Sequence, residues 1–450
     1  MKNKILFIFN FGSEIRQFAY SGVISELLDN GNDVYISLRV NNKEVLSCID
    51  KRAKILNYYR QGLPFYLNLL KEVLDSQANT STVWKYMSDN KKFKSKINKI
   101  IYFTISSILK NVIKINVFKK IFEQIELKLF FSLHSQAWTD LLRENTIDKI
   151  IVNVPNYNYH LLATAKAQEI PIYLLFHTNK DLYTLGRILP FYTYIGVWNE
   201  SMKNELLTIN PKLKNNHVQA IGCTHFTNFV PQSNVDTKVR NKFDLQKDEM
   251  VILYIAAAPF VVSNEYEYVS LLQENIEDIG INDYKIIIKV NPMDDTQYWD
   301  KFLSEKVLIQ NSEWAWNKED SFNYPEKSDI ENFIELLQIS KLCVGLPSTV
   351  VIEASLMRVP FLNICFDYGD VTTIYNTVAE MWTAPFYRNV VTMDSAIGVL
   401  EKAMFKKKLK EILIEDQDIG NKQDMFIKKE LTFTGSELKN QMIKFLGNID

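Results

Sequence analysis

The chain returns again and again to one pattern: a short, unbroken apolar run, then a segment of helical periodicity. The first run is KILFIF at residues 4–9. Apolar runs without alternation belong to strands buried on both faces, as in a parallel sheet. A helical stripe follows, with Phe18, Val23, Ile24, Leu27 and Leu28 on one face, and Asn30-Gly31 ends it. DVYISL at 33–38 reads as the next strand. Parallel neighbours need long crossovers, so this strand–helix–strand unit predicts a doubly wound α/β sheet.

The rhythm resumes at DKIIVNV (148–154) and runs through PIYLLF (171–176), YIGVWN (194–199) and HVQAIG (217–222). A second series follows with MVILYIAAA (250–258), KIIIKV (285–290), VLIQ (307–310), KLCVGL (341–346) and PFLNICF (360–366). A chain of 450 residues exceeds one ordinary core. The polar stretch PQSNVDTKVRNKF (231–243) reads as a linker between the two series. Residues 1–235 are therefore expected to form a first Rossmann-like domain, 236–405 a second, and 406–450 terminal helices. Ligands of such sheets gather at the carboxyl ends of the strands, which predicts a site in a cleft between the domains.

Residues 60–145 interrupt the rhythm with helical patterning only, a helical insertion in the first domain. Within it, 91–120 carries nine lysines and no acid, with Ile97, Ile100, Ile101, Ile105 and Ile108 at roughly helical spacing. This basic amphipathic stretch predicts either peripheral contact with anionic lipid or an insertion with a solvated lysine face.

Composition narrows the function classes. Hydrophobic residues make up 47% and charged residues 23%, which suits a globular core. The net charge of −1 supplies no field for nucleic acid. Cys48, Cys223, Cys343 and Cys365 show no C-x-x-C spacing, so reduced thiols in a cytoplasmic protein are expected. The apolar run near the N-terminus is too short for a signal peptide, and no run of 18 apolar residues suggests a membrane span. No His, Cys and Asp cluster has metal-ligand spacing, so no metal is expected.

Four stretches carry a family resemblance: IIVNVPNYNYHLLATAKAQEIPIYLLFHTNKD, GVWNESMKNELL with VQAIGCTHFTNF, KIIIKVNPMDD, and LPSTVVIEASLMRVPFLNI. Their order resembles bacterial GT-B glycosyltransferases of surface polysaccharide assembly, with CDP-glycerol glycerophosphotransferase-like enzymes as relatives. The resemblance covers about residues 148–367. It implies a GT-B fold, a nucleotide-sugar donor without a further cofactor, and a glycan or lipid-linked glycan acceptor. Two departures stand out. Asn291-Pro292 replaces the family's His-Pro, and residues 177–181, HTNKD, replace its Ser-Trp-Asp-Asn loop.

Sugar transfer needs a stabilised diphosphate, a held donor and a deprotonated acceptor hydroxyl. Ser348 and Thr349 open a helix after a buried strand, where free N–H groups suit a diphosphate. Glu353 lies in an apolar helix without a cation three or four residues away. It either accepts from donor hydroxyls or reaches a distant partner, and the resemblance favours the donor role. Lys289 ends a strand beside Asn291, as a diphosphate contact or an edge lysine. Gly12, Ser13 and Arg16 follow the first strand as acceptor or phosphate contacts. Glu14 there competes with His177, oriented by Asp181, for the role of general base. Asp367 and Asp370 read equally as donor contacts or a solvated turn. Asn199 and Glu200 read as a helix cap.

Three rivals remain. A glycerophosphotransferase depends more on the absent His-Pro. A nonhydrolysing nucleotide-sugar 2-epimerase carries H-R-x-E-N where this chain has AAAPFVVSNEYEY. An inactive glycan-binding homologue need not keep Ser348, Thr349 and Glu353.

Overall fold

Strand β1 (Lys4–Phe9) is buried over almost its whole length because it pairs in parallel on both sides. Ile5 lies opposite Val34 of β2 (Asp33–Leu38) and opposite Lys149 of β4 (Lys149–Val152). The computed structural model describes residues 2–40, 43–78, 96–155, 157–184, 186–294, 296–317, 322–384, 387, 396–415 and 419–447. The chain forms two compact units, Met1–His225 with Thr432–Asp450, and Phe226–Leu431.

In the first unit, β3 (Lys54–Leu56), β5 (Ile172–Leu175), β6 (Tyr194–Val197) and β7 (Val218–Ala220) complete a parallel sheet of order β3-β2-β1-β4-β5-β6-β7. Successive strands step outward from β1 to β3, then restart at β4 on the other side. The edge β1/β4 is therefore the topological switch point.

The second unit contains β8 (Met250–Ile255), β9 (Val262–Ser263), β10 (Tyr284–Lys289), β11 (Val307–Gln310), β12 (Trp314–Asn317), β13 (Phe322–Pro325), β14 (Leu342–Gly345), β15 (Phe361–Ile364), β16 (Thr372–Thr373) and β17 (Ala396–Val399). Six of them make a parallel sheet of order β11-β10-β8-β14-β15-β17, with its switch point at β8/β14. There β14 approaches β8 so closely that a Cβ on Gly345 would lie 2.8 Å from the Ile255 carbonyl oxygen. Only glycine fits that position. β12 with β13 and β9 with β16 form short antiparallel ribbons.

The expected helical insertion is present as helices Phe65–Ala78, Lys96–Val112, Asn116–Phe131 and Gln136–Glu144. Residues 91–95 of the lysine-rich stretch lie outside the described residues. The polar segment at 231–243 folds largely as a helix, Val235–Phe243, which buries Val235 and Val239. Helices Lys402–Leu413 and Gly420–Leu431 belong to the second unit, and Gly435–Gly447 returns to the first. That return is anchored by Lys149. Its ammonium is fully buried and donates to the Leu446 carbonyl at 2.7 Å, near the carboxyl end of the helix dipole.

The insertion is tied to the first sheet by buried charge. Glu126 is 0% exposed and accepts two bonds of 2.8 Å from the Arg187 guanidinium. Arg187 also donates through Nε to Asp75 at 3.0 Å, and Asp75 is paired with Lys71 as well. Burial pushes the Glu126 carboxyl above its ordinary range even with Arg187 alongside. Removing one member of a buried pair leaves an uncompensated charge. Arg187→Met should therefore lower unfolding free energy by about 3–5 kcal/mol in calorimetry or denaturant melts. Arg187→Met/Glu126→Leu should recover part of that loss.

Candidate functional site

In the first unit the loop after β1 is fastened by Glu14. Its carboxylate accepts from the Phe11 N–H at 2.9 Å and the Asn10 N–H at 3.2 Å, with Ser13 Oγ at 3.4 Å. Glu14 is 0% exposed, and burial pushes its carboxyl up to about 8 against those bonds. The expected cleft-facing base is instead turned inward to close its own turn, because the loop's N–H groups are the nearest donors.

The segment after it, Ile15–Tyr20, is a π-helical turn rather than the expected α-helix. Two hydroxyls insert at the Gln17 carbonyl: Ser21 Oγ at 2.5 Å and Thr224 Oγ1 at 2.6 Å. Such insertion opens the helical ladder. The Gln17 side chain accepts from Asn153 at 2.8 Å, joining the ends of β1 and β4. A second polar knot lies at the same switch point. Tyr58 Oη lies 2.9 Å from Asn10 Oδ1 and 2.7 Å from Asn158 Oδ1, sharing its one proton between them, and Asn158 donates to Asn10 at 2.6 Å.

His177 follows β5 as expected. Its ring is partly accessible at the edge, yet protein surrounds it, and its Nδ1 has no hydrogen-bond partner among the described residues. Burial, then the charges of Arg16 and Lys180, depress its pKa to about 3. His225, buried after β7, is depressed by burial and by the same Arg16, with His177 close enough to act on it. Arg16, His177, Lys180 and His225 thus form one cluster in which burial first, then Arg16 at both rings and Lys180 at His177, disfavours the charged imidazole.

Asp181 does not orient His177. Its carboxylate accepts from the Thr178 N–H at 3.2 Å, and its pKa is pushed by burial to about 7. The physical reason is local: the short helix Asp181–Thr184 begins at this carboxylate, so it turns to the loop amides before it. Gly12 accepts from the Ile15 N–H at 3.1 Å, and Ser13 is half-buried beside it.

In the second unit, Ser348 and Thr349 follow β14 at the switch point. Ser348 Oγ accepts from the Val350 N–H at 3.2 Å, and Glu353 is buried at 6% exposure within the helix Val350–Leu356. Lys289, expected to meet a diphosphate, is engaged inside the fold. Its ammonium donates to Asp329 at 2.5 Å and to Ser312 Oγ at 2.9 Å. Asp329 also accepts from the Glu313 N–H and Trp314 Nε1, so this pair organises the chain after β11. Asn291 Oδ1 accepts from the Met293 N–H at 3.0 Å, an Asx turn after β10. Asp367 accepts from the Val378 N–H at 2.7 Å, the first amide of the helix Val378–Met381, which Thr377 caps. Asn199 Oδ1 accepts from the Met202 N–H at 2.8 Å, the expected cap.

Sequence reasoning missed Glu265 and His225. Glu265 is 3% exposed and accepts from Tyr254 Oη at 3.0 Å and from the Ala257 N–H at 2.8 Å, at the carboxyl end of β8. Burial, with a smaller push from Asp294, raises its carboxyl to about 8. At the start of a helix it reads as ordinary dipole complementation, so no local signal marks it. His225 lies inside the CTHF motif, and the motif was the available signal. Among the described residues no group of three His, Cys, Asp or Glu side chains could hold a metal ion.

No family profile and no curated protein matches this chain. Solved structures do. A glycosyltransferase from Rickettsia africae aligns over 100% of this chain and 100% of its own, with a TM-score of 0.55 and 12% identity. The UDP-GlcNAc 2-epimerase of Neisseria meningitidis, bound to UDP-GlcNAc, aligns over 99% of this chain and 100% of its own, at 0.54 and 14%. Anabaena HepE in complex with UDP-glucose aligns over 99% and 100%, at 0.51 and 10%. What they share with this chain is architecture. It has the GT-B fold, with two Rossmann-like parallel-sheet domains.

The sign of the Glu265 shift is testable. Its folded pKa lies above its unfolded value, so between about 4.5 and 8 the folded state holds a proton that the unfolded state has lost. Stability from this group therefore falls as pH rises through that window. Glu265→Gln, a neutral isostere, should match wild-type stability near pH 4. It should then gain on wild type progressively up to about pH 8. Thermal melts across that range measure the difference, and a constant offset would remove Glu265 from the titration.

Proposed function

We propose that this chain is a nucleotide-sugar enzyme that transfers a sugar to a hydroxyl of a surface glycan, such as capsule or lipopolysaccharide. The observation that carries the reading is the composition of the β8/β14 switch point. Ser348, Thr349 and a buried Glu353 gather there, behind a strand end where Gly345 is required by close backbone approach. Hydroxyls and a carboxylate at such an edge suit the ribose and sugar hydroxyls of a nucleotide-sugar. UDP and UDP-sugars bound to proteins of the same fold support that ligand class.

In the reaction, the bond between the anomeric carbon and the diphosphate oxygen breaks and the nucleoside diphosphate leaves. The acceptor oxygen bonds to that carbon, and its proton passes to the enzyme. His177 is the group proposed to take it, since its buried Nδ1 has no hydrogen-bond partner among the described residues while Glu14 and Asp181 accept from their own loops. A pKa near 3 makes a poor base in the empty protein. An anionic substrate group beside Arg16 and Lys180 offsets part of that depression, so basicity rises when substrate binds. Gly12, Ser13 and Arg16 contact the acceptor or its phosphate in this scheme.

Thermal-shift titration with UDP, GDP, CDP, CMP and dTDP tests the donor site. A ligand of the native state adds about 2.7 kcal/mol of stability at a hundredfold excess over Kd. One nucleotide is expected to give a selective shift that Glu353→Gln abolishes. His177→Ala should keep the shift and lower turnover by about 10²–10⁴-fold. A shift with CDP alone favours glycerophosphate transfer, and epimerised free UDP-sugar without transfer favours an epimerase. If Glu353→Gln keeps the shift but loses stability, Glu353 is structural.

A further inference from the structure

The helical insertion has an inner face that is accounted for and an outer face that is not. Tyr102 and Ile113 pack with Leu69, Leu70, Val73 and Leu74 of the helix Phe65–Ala78, and Leu109 and Phe122 close around them. On a helix that rests on a core, the opposite face is ordinarily polar. Here Ile101, Ile105 and Ile108 recur at steps of four and three along the helix Lys96–Val112, with Ile108 58% exposed. On the helix Asn116–Phe131, Val117, Ile121 and Ile125 recur at steps of four, with Val117 65% exposed. Two stripes of large aliphatic side chains thus meet solvent on consecutive helices, more than scattered surface apolar residues account for.

The charges around these stripes have one sign. Lys110, Lys114, Lys119 and Lys120 lie at the end of the first helix, in the turn and at the start of the second. The two acids between residues 96 and 131 are both spoken for. Glu123 is paired with Lys212 at 3.0 Å, and Glu126 is buried beneath Arg187. Among the described residues no helix is long and apolar enough to cross a membrane. A second copy of the chain docking symmetrically would set lysine against lysine. An anionic bilayer answers both features: acyl chains for the aliphatic stripes and phosphate headgroups for the lysines.

We propose that the helices Lys96–Val112 and Asn116–Phe131 lie in the interface of an anionic lipid bilayer, with these aliphatic stripes inserted and the lysines at headgroup level. The surface is independent of the chemistry proposed for the two sheets.

The test is co-sedimentation of the full chain with phosphatidylcholine vesicles, with and without phosphatidylglycerol. Binding is expected only with the anionic lipid and should weaken with added salt. Each lysine near the surface contributes on the order of fivefold, so Lys119→Ala/Lys120→Ala should bind about 30-fold more weakly. Ile105→Asp/Ile108→Asp should abolish binding while the melting temperature stays near wild type, since both side chains already face solvent. Ile108→Trp gives an independent readout, a blue-shifted emission on phosphatidylglycerol vesicles. Absence of binding by the wild type, or binding unchanged by Ile105→Asp/Ile108→Asp, overturns the proposal. So does a wild-type dimer in sedimentation that the same double variant converts to monomer, since a second copy would then cover the stripes.

Discussion

Parallel strand pairing is the constraint from which the rest of this molecule follows. A parallel neighbour cannot be reached by a tight turn, so every strand must leave its sheet at the carboxyl end and return through a crossover. All the crossover entries therefore collect on one edge of each sheet. In the first unit that edge holds the loop of Gly12–Arg16, the Asn10–Tyr58–Asn158 knot and the loop of His177–Asp181. In the second it holds Glu265, Asn291, Ser348 and Thr349. Residues far apart in sequence become neighbours because the sheet sends them to the same place.

Buried charge is handled in two ways. Some buried ions are paired: Arg187 with Glu126 and Asp75 at the insertion, and Lys289, at the end of β10, with Asp329. These pairs hold segments that the sheets alone do not fix. At other strand ends, burial drives groups toward neutrality. Glu14 and Glu265 rise to about 8, and His177 falls to about 3. Groups whose protonation is displaced by burial are the ones a ligand's charge can move most, which is why such shifts gather at functional sites.

The sequence was most legible where one period dominates. The apolar runs marked every long strand of both sheets, since strands buried on both faces carry no alternation to confuse. Short edge elements were less legible. β3 has three residues, none fully buried, and leaves no apolar signature. The helix Val235–Phe243 was hidden because only Val235 and Val239 of nine residues face inward. Among site residues, position was legible and partner was not. Lys289 does end a strand, but Asp329, forty residues on, takes its charge. Asp181 does follow His177, but it turns to backbone amides instead.

By itself, then, the sequence determined where the long buried strands fall along the chain, the doubly wound class, the helical insertion and the loops where chemistry would gather. Those are local properties, set by periodicity and by the breakers between runs. The tertiary structure alone decided which polar groups meet. It turned Glu14 inward, set Arg16 beside His177 and His225, buried Glu265 against Tyr254, and left the stripes of the insertion facing outward. Such pairings depend on distances between segments that no local pattern encodes, and on the cost of burying charge, which exists only once the fold has closed around it.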